Sequence, residues 1–168
     1  MNYKVVGKFI SQILAVEAAF MLPALIISAA CQNLNAVIGF IVSIVIILGI
    51  ASLLYVLCRK ANKRFFAKEG LVSVGIGWIV LSILGCLPFF ISREIPSFVD
   101  ALFETVSGFT TTGSSILSNV EALTHCSLFW RSFTHWIGGM GVLVFIMAVL
   151  PLSGGSIMHL IRAESPGP

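Results

Sequence analysis

Charge is what this sequence has least of. Asp, Glu, Lys and Arg make up only 10% of its 168 residues, and 58% of the residues are hydrophobic. A soluble domain carries about 25% charged residues, so the composition excludes the ordinary soluble classes. The sequence therefore predicts an integral membrane protein.

Paired cysteines and common metal-binding motifs are also absent. The four cysteines, Cys31, Cys58, Cys86 and Cys126, lie far apart without a CxxC pair, so neither a zinc site nor a disulfide framework is expected. No HExxH motif occurs, and no nucleophile shares a helical face with a base, so an intramembrane enzyme has little support. We expect a protein that is not an enzyme and has no organic cofactor.

The net charge of +3 does not indicate nucleic acid as a partner, because half of the basic residues lie together in one connector, 59–69. Short loops rich in Lys and Arg stay in the cytoplasm, which places this connector inside and the more acidic segment 92–126 outside. With the four membrane spans described next, both termini are expected in the cytoplasm.

Apolar runs long enough to cross a bilayer follow one another along the chain. A helix needs about 20 predominantly apolar residues to cross the hydrocarbon core. Four runs meet this need, at 9–31, 37–57, 71–91 and 128–152. We therefore predict an all-α fold with four transmembrane helices in contact with membrane lipids.

The first run has a competing interpretation as a cleavable signal peptide, because Lys4 and Lys8 precede it and small residues end it. It is longer than the apolar region of such peptides, which spans about 7–15 residues, and it contains Glu17. These features favour a membrane span. A carboxylate at that depth needs a partner or a proton, and the sequence names no partner for Glu17.

A short helix is predicted between the third and fourth runs. Ser97 and Asp100 form a capping box, and Pro96 precedes it. Apolar residues then follow one helical stripe: Phe98, Leu102, Phe103, Val106 and Phe109. A helix of about 11–13 residues is under about 20 Å long, so it has to enter the membrane and stop partway.

Residues 107–116, "SGFTTTGSSI", follow this half-helix with small and hydroxyl-bearing side chains. Non-helical backbone at membrane depth is tolerated where it is buried in protein or lines a water-filled cavity. We predict that Thr110, Thr111, Thr112, Gly113 and Ser114 form an extended loop whose carbonyl oxygens bind a cation, as in ion-selective filters. The alternative is an ordinary Thr/Gly/Ser loop.

Arg131 and His135 lie one turn apart on the same face of the fourth run. Glu104 of the half-helix is a plausible partner, and the pair would support the filter from behind. Packing without a specific pair and proton transfer remain alternatives. Gly138, Gly139 and Gly141 favour a close helix approach, and Gly154 and Gly155 indicate a helix end.

Three stretches carry a family resemblance. "DALFETVSGFTTTGSSIL", "FWRSFTHWIGGMGVLVFIMAVLP" and "RAESPGP" resemble the first pore repeat of TrkH/TrkG-type potassium transporters, in the Trk/Ktr/HKT superfamily. By this resemblance, 1–69 is expected to be an N-terminal helix pair with its basic connector, 70–155 an M1, pore helix, filter and M2 repeat, and 156–168 a truncated cytoplasmic tail.

The resemblance implies potassium uptake in a bacterial inner membrane, with K⁺ bound by backbone carbonyls of Thr111 and Thr112 and flanked by Thr110, Gly113 and Ser114. It also implies a cytoplasmic nucleotide-binding ring of the TrkA type as a partner. Family members carry four such repeats, whereas this sequence contains one. The chain is therefore expected to be the N-terminal portion of a transporter or to form a homo-oligomer. The alternative function is a non-conducting fragment or regulatory subunit that pairs with a full-length transporter.

Overall fold

The computed structural model describes residues 3–59 and 67–149, and the regular structure within them is entirely helical. The elements are α1 (Tyr3–Ala30), α2 (Leu34–Leu57), α3 (Ala67–Gly85), α4 (Leu87–Ile91), α5 (Phe98–Phe109), a 3₁₀ turn (Val120–Ala122) and α6 (His125–Val149). The all-α class is thereby confirmed. Predictions for most of the basic connector, for Gly154 and Gly155 and for the tail lie outside the described residues.

Three helical stretches in the described part are long and apolar enough to cross a membrane: Tyr3–Ala30, Leu34–Leu57 and Val72–Ile91. They coincide with the first three predicted runs. Helix α6 is 25 residues long and covers most of the fourth run. That α6 crosses the membrane stays a prediction.

Helices α1 and α2 form an antiparallel hairpin whose turn is closed by Asn33. The Asn33 side chain accepts a hydrogen bond from the Ala36 N–H at 3.2 Å, which satisfies one of the free donors at the start of α2. Leu14 and Met21 of α1 and Phe40 and Ile47 of α2 are fully buried. Helix α1 also packs against α3 and α6, and these two helices in turn contact α5.

The predicted third span is interrupted at Cys86, between α3 and α4. Pro88 has no N–H group and therefore cannot continue the regular helical hydrogen bonding. The carbonyl that Pro88 leaves without its helical donor is that of Leu84, and the next carbonyl, that of Gly85, accepts a hydrogen bond from Trp130 Nε1 at 2.9 Å. Because Trp130 is fully buried, this bond fixes α6 against the break in the third span.

Helix α5 begins as predicted, because Ser97 Oγ accepts a hydrogen bond from the Asp100 N–H at 3.4 Å. Its 12 residues correspond to a length of about 18 Å, well short of a bilayer. Most of the predicted apolar stripe faces outward, since Phe103 is 44% and Val106 38% exposed, and Phe109 is its one fully buried member. The helix buries mainly small and polar residues instead: Ala101, Glu104, Thr105, Ser107, Gly108 and Phe109.

The loop before α5 is attached to the start of α6 by Glu94. Its carboxylate accepts hydrogen bonds from the Thr124 N–H at 3.1 Å and from the Thr124 hydroxyl. A carboxylate at a helix N-terminus is favoured by the partial positive charge there. Both ends of the segment that contains α5 are therefore held together.

Helices α5 and α6 approach each other through glycines. A Cβ on Gly108 would lie 2.2 Å from Thr134 Oγ1, and a Cβ on Gly138 would lie 2.3 Å from the Phe109 carbonyl oxygen. A Cβ on Gly141 would lie 2.9 Å from the Trp78 ring, whereas one on Gly139 would be 4.0 Å from its nearest neighbour. Close approach is thus confirmed for Gly138 and Gly141, and Gly139 has free space.

Replacing Gly138 by alanine is expected to push α6 away from the end of α5, because the new methyl group meets rigid backbone. Overpacking of this kind costs about 1–3 kcal/mol. Thermal unfolding in detergent should show a lower midpoint for Gly138→Ala than for Gly139→Ala, which has room for a methyl group. Equal midpoints for the two variants would contradict this packing.

Candidate ion-binding site

Helix α5 ends in a sharp reversal at Thr111. The Thr112 N–H donates to the Ser107 carbonyl at 3.0 Å, and the Thr111 N–H donates to the Gly108 carbonyl at 2.9 Å. This bond pair is a Schellman motif, which requires a left-handed residue at Thr111. Thr111 has a φ of 56°, a conformation that costs a non-glycine residue about 1–2 kcal/mol.

The residues after the reversal have no regular structure, and residues 110–116 are exposed. Gly113 is the second left-handed residue of the segment, with a φ of 76°. Within the described part of the chain, the carbonyl oxygens of Thr110, Thr111, Thr112 and Gly113 accept no hydrogen bond. Four successive carbonyl groups are therefore available to a ligand.

The hydroxyl groups of Thr110 and Thr112 form a hydrogen bond with each other. Thr110 Oγ1 donates to the Val106 carbonyl at 2.7 Å, so the 2.8 Å contact between Thr110 and Thr112 is donated by Thr112 Oγ1. These bonds keep both side chains close to the end of α5. The backbone oxygens of residues 110–113, in contrast, have no hydrogen-bond partner in the described part of the chain.

The far end of the segment is bound to α5. Ser107 Oγ donates to the Ser114 carbonyl at 2.6 Å, and the Ile116 N–H donates to Glu104 Oε1 at 2.6 Å. Ser115 Oγ donates to the same Glu104 oxygen. The Ser114 carbonyl is thus engaged by the helix, which distinguishes it from the four carbonyls before it.

Glu104 joins this segment to α6. Its side chain is 1% exposed, and Oε2 accepts a hydrogen bond from Arg131 Nε at 2.9 Å, forming an ion pair. Burial by itself would raise the pKa of Glu104. The hydrogen bonds from Ser115, Arg131 and Ile116 together outweigh this effect, so the pKa lies below its ordinary value. The contact expected between Glu104 and Arg131 is therefore present.

His135 lies one turn along α6 from Arg131, with a different partner. Its Nδ1 lies 2.9 Å from the Arg131 carbonyl oxygen, and because a carbonyl can only accept, Nδ1 carries the hydrogen. His135 is half-buried and makes no hydrogen bond to the 110–116 segment. Of the three predicted support residues, Glu104 and Arg131 come together directly.

Ser107 and Ser115 hold the segment and were not predicted from the sequence. Ser107 lies three residues after Glu104, so both side chains occur on the same face of α5. That spacing was the available signal. It could not show that the chain reverses at Thr111 and returns along this face.

The amino-acid sequence of the chain is similar to those of known proteins. A family model described as TrkH, cation transport protein, matches residues 34–168. The chain belongs to this TrkH family. The membership confirms the resemblance drawn from the filter-like and glycine-rich stretches, and with the three long apolar helices it makes the chain a multi-pass membrane protein.

Relatives in the TrkH family include the Trk system potassium uptake protein TrkH of Escherichia coli K12, 43% identical over 123 residues, which are 72% of this chain. TrkH of Halomonas elongata is 31% identical over the whole chain. TrkG of Escherichia coli K12 is 34% identical over 88% of it. The chain spans 25% to 35% of the length of these curated relatives.

Replacing Glu104 by glutamine should loosen the connection between α5, the segment and α6. Glutamine retains an acceptor but loses the charge, and a hydrogen bond to a charged group contributes about 1.5–3 kcal/mol. Thermal unfolding in detergent at neutral pH should show this loss, whereas Glu121→Gln should not, since Glu121 is exposed.

The difference in unfolding midpoint between the native protein and Glu104→Gln should also depend on pH. A carboxyl group with a lowered pKa stabilises the fold above its unfolded pKa, and this stabilisation disappears as pH falls through the folded pKa. The two unfolding midpoints should therefore converge in acid. A difference that stays constant with pH would show that the charge of Glu104 does not matter.

Proposed function

We propose that this chain contributes to potassium uptake, with K⁺ crossing the membrane along backbone carbonyl oxygens of residues 110–114. The observation that carries the proposal is the row of four carbonyls without hydrogen-bond partners, at Thr110, Thr111, Thr112 and Gly113. Thr111 and Thr112 are its central ligands. Ser114 takes part through its attachment to Ser107.

Carbonyl oxygens suit this role because they can replace the water shell of K⁺ without a full negative charge. The C-terminal end of α5 adds a partial negative charge beside the segment, which favours a cation there. The left-handed conformations of Thr111 and Gly113 support the proposal further, since they change the direction of successive peptide groups.

Selectivity also requires the carbonyls to keep their spacing, and the Glu104 contacts supply a reason for rigidity. The segment is held at Ser114, Ser115 and Ile116, and Arg131 holds Glu104 in turn. We assign Glu104 and Arg131 to direct support of the filter. His135 supports it indirectly, by bonding to the Arg131 carbonyl.

A single segment of this kind supplies one side of an ion path. The exposed face of residues 110–116 leaves room for other pore repeats, and the relatives are potassium uptake proteins of greater length. We therefore propose that the chain acts with further repeats, in the bacterial inner membrane, with cytoplasmic termini and a regulatory ring of the TrkA type.

Replacing Gly113 by alanine should reduce the preference for K⁺ over Na⁺. A Cβ at Gly113 would meet nothing within 4 Å, so the effect would come from the left-handed backbone rather than from a clash. A conformational cost of about 1–2 kcal/mol, if it falls on the K⁺-bound state, lowers the preference by about a factor of ten.

The matched control is Gly49→Ala, where a Cβ also meets nothing within 4 Å but lies on α2, away from the segment. Uptake of rubidium in competition with Na⁺ measures both variants, each in a transporter with all its repeats. If Gly113→Ala keeps the native preference, residues 110–114 are not the filter.

Expression in cells without their own potassium uptake separates the alternatives for assembly. The chain alone should give no growth at low K⁺ and no rubidium influx, because one segment supplies too few ligands. Growth should return when further repeats are supplied. Influx from the chain alone would demand a homo-oligomeric pore, and no influx in either case would favour a non-conducting subunit.

A further inference from the structure

A second buried carboxylate lies in the middle of α1. Glu17 is 2% exposed, yet neither of its carboxylate oxygens has a hydrogen-bond partner among the residues that the structure describes. Its situation is the opposite of that of Glu104, whose two oxygens accept three hydrogen bonds. An ionised carboxylate without a partner in apolar surroundings is very unfavourable.

Glu17 lines a half-open cavity of about 220 Å³ between α1, α3, α5 and α6. Its walls are mostly apolar, with Phe20, Leu81, Phe109 and Ile137 among them, and Gln12 is its other polar lining residue. A water molecule occupies about 30 Å³ of liquid volume, so the cavity has room for several. The surface that the cavity exposes is apolar and the Glu17 oxygens are buried behind it, so the carboxyl group has to turn toward the cavity before water can reach it.

The carboxyl group also lies against the end of α5. A Cβ on Gly85 would be 3.0 Å from Glu17 Oε1, 3.0 Å from Phe109 Cε2 and 3.2 Å from Thr105 Cγ2. Glu17 and the side chains of Thr105 and Phe109 are therefore neighbours around Gly85. Phe109 directly precedes Thr110, where the candidate ion site begins.

Among the residues whose side chains the structure describes, the neighbouring elements bring no positive charge to Glu17. Helix α2 and residues 72–85 of α3 contain no acidic or basic residue. The nearby titratable group at the α3–α4 break is the Cys86 thiol, which donates to the Ile83 carbonyl. Helix α5 faces Glu17 with Thr105 and Phe109, and α6 contributes Ile137 to the cavity.

Glu104 of α5 and Arg131 and His135 of α6 have other partners. Glu104 and Arg131 pair with each other, and His135 donates to the Arg131 carbonyl. On α1 itself, Lys4 and Lys8 lie at least two helical turns away from Glu17. A proton is thus the cation that this site can take without rearrangement.

We infer that Glu17 is a proton-binding site inside the membrane. Its proton controls the packing behind Phe109, that is, how α1 packs against the last turn of α5. The neutral acid fits the apolar cavity as described. When the proton leaves to water, the remaining carboxylate draws water into the cavity and weakens the contact with the last turn of α5. The site goes beyond the proposed uptake function and does not require it.

Labelling with dicyclohexylcarbodiimide tests the proton site without any transport measurement. The reagent takes up the proton of a neutral carboxylic acid, the carboxylate oxygen adds to its central carbon, and rearrangement leaves a stable N-acylurea. Membranes that contain the full-length protein would be treated at pH 6 and at pH 9, and Glu17 and Glu104 would be quantified by peptide mass spectrometry.

Glu17 should be labelled at pH 6 and at least several-fold less at pH 9. Glu104 is the internal control, because its hydrogen bonds keep it ionised, and it should remain unlabelled at both values. An unlabelled Glu17 at pH 6, or labelling of both carboxylates alike, would overturn the proton site.

Rubidium uptake between pH 6 and pH 9 tests the effect on the pore. The native transporter should change its rate several-fold over this range, whereas Glu17→Gln, which imitates the neutral acid, should keep the native pH 6 rate throughout. Glu121→Gln should follow the native profile. If Glu17→Gln also follows it, the control of packing behind Phe109 is wrong, and the labelling still decides whether the site binds a proton.

Discussion

The buried carboxylate of Glu104 is the interaction on which the candidate site depends. A charge with almost no exposure to water is tolerated only when its oxygens are satisfied. The donors come from two different parts of the chain, Ser115 and Ile116 in the loop and Arg131 in α6. One side chain therefore fixes α5, the loop and α6 relative to one another.

Small residues make this arrangement possible. Glu104 can reach Arg131 only if α5 and α6 lie close together, and Gly108 and Gly138 permit that approach because any side chain there would meet Thr134 or the Phe109 carbonyl. Apart from Phe109, most large apolar residues of α5 consequently lie on its outer side: Phe98, Val99, Phe103 and Val106. In a membrane this orientation is not penalised as it would be in water, since lipid tails are as apolar as the side chains.

Features that depend on neighbouring residues in the sequence were predictable. The start of α5 at Ser97 and its length of 12 residues follow from a capping residue and a short apolar stretch, and the structure has both. The reversal at Thr111 was not predictable, because a β-branched residue disfavours the left-handed conformation that it adopts there. The bonds from Ser107 and Glu104 to the returning loop outweigh that local preference.

The sequence by itself determined the membrane class, the first three spans and the position of the short helix, because hydropathy and capping act over a few neighbouring residues. Only the tertiary structure decided the fates of the two buried carboxylates. Glu104 meets Arg131, 27 residues away, and Glu17 meets no donor in the described part of the chain. The sequence offered the Glu104–Arg131 pair as one of several alternatives and named no partner for Glu17, but it could not decide either outcome, because each depends on which helix faces lie together after folding.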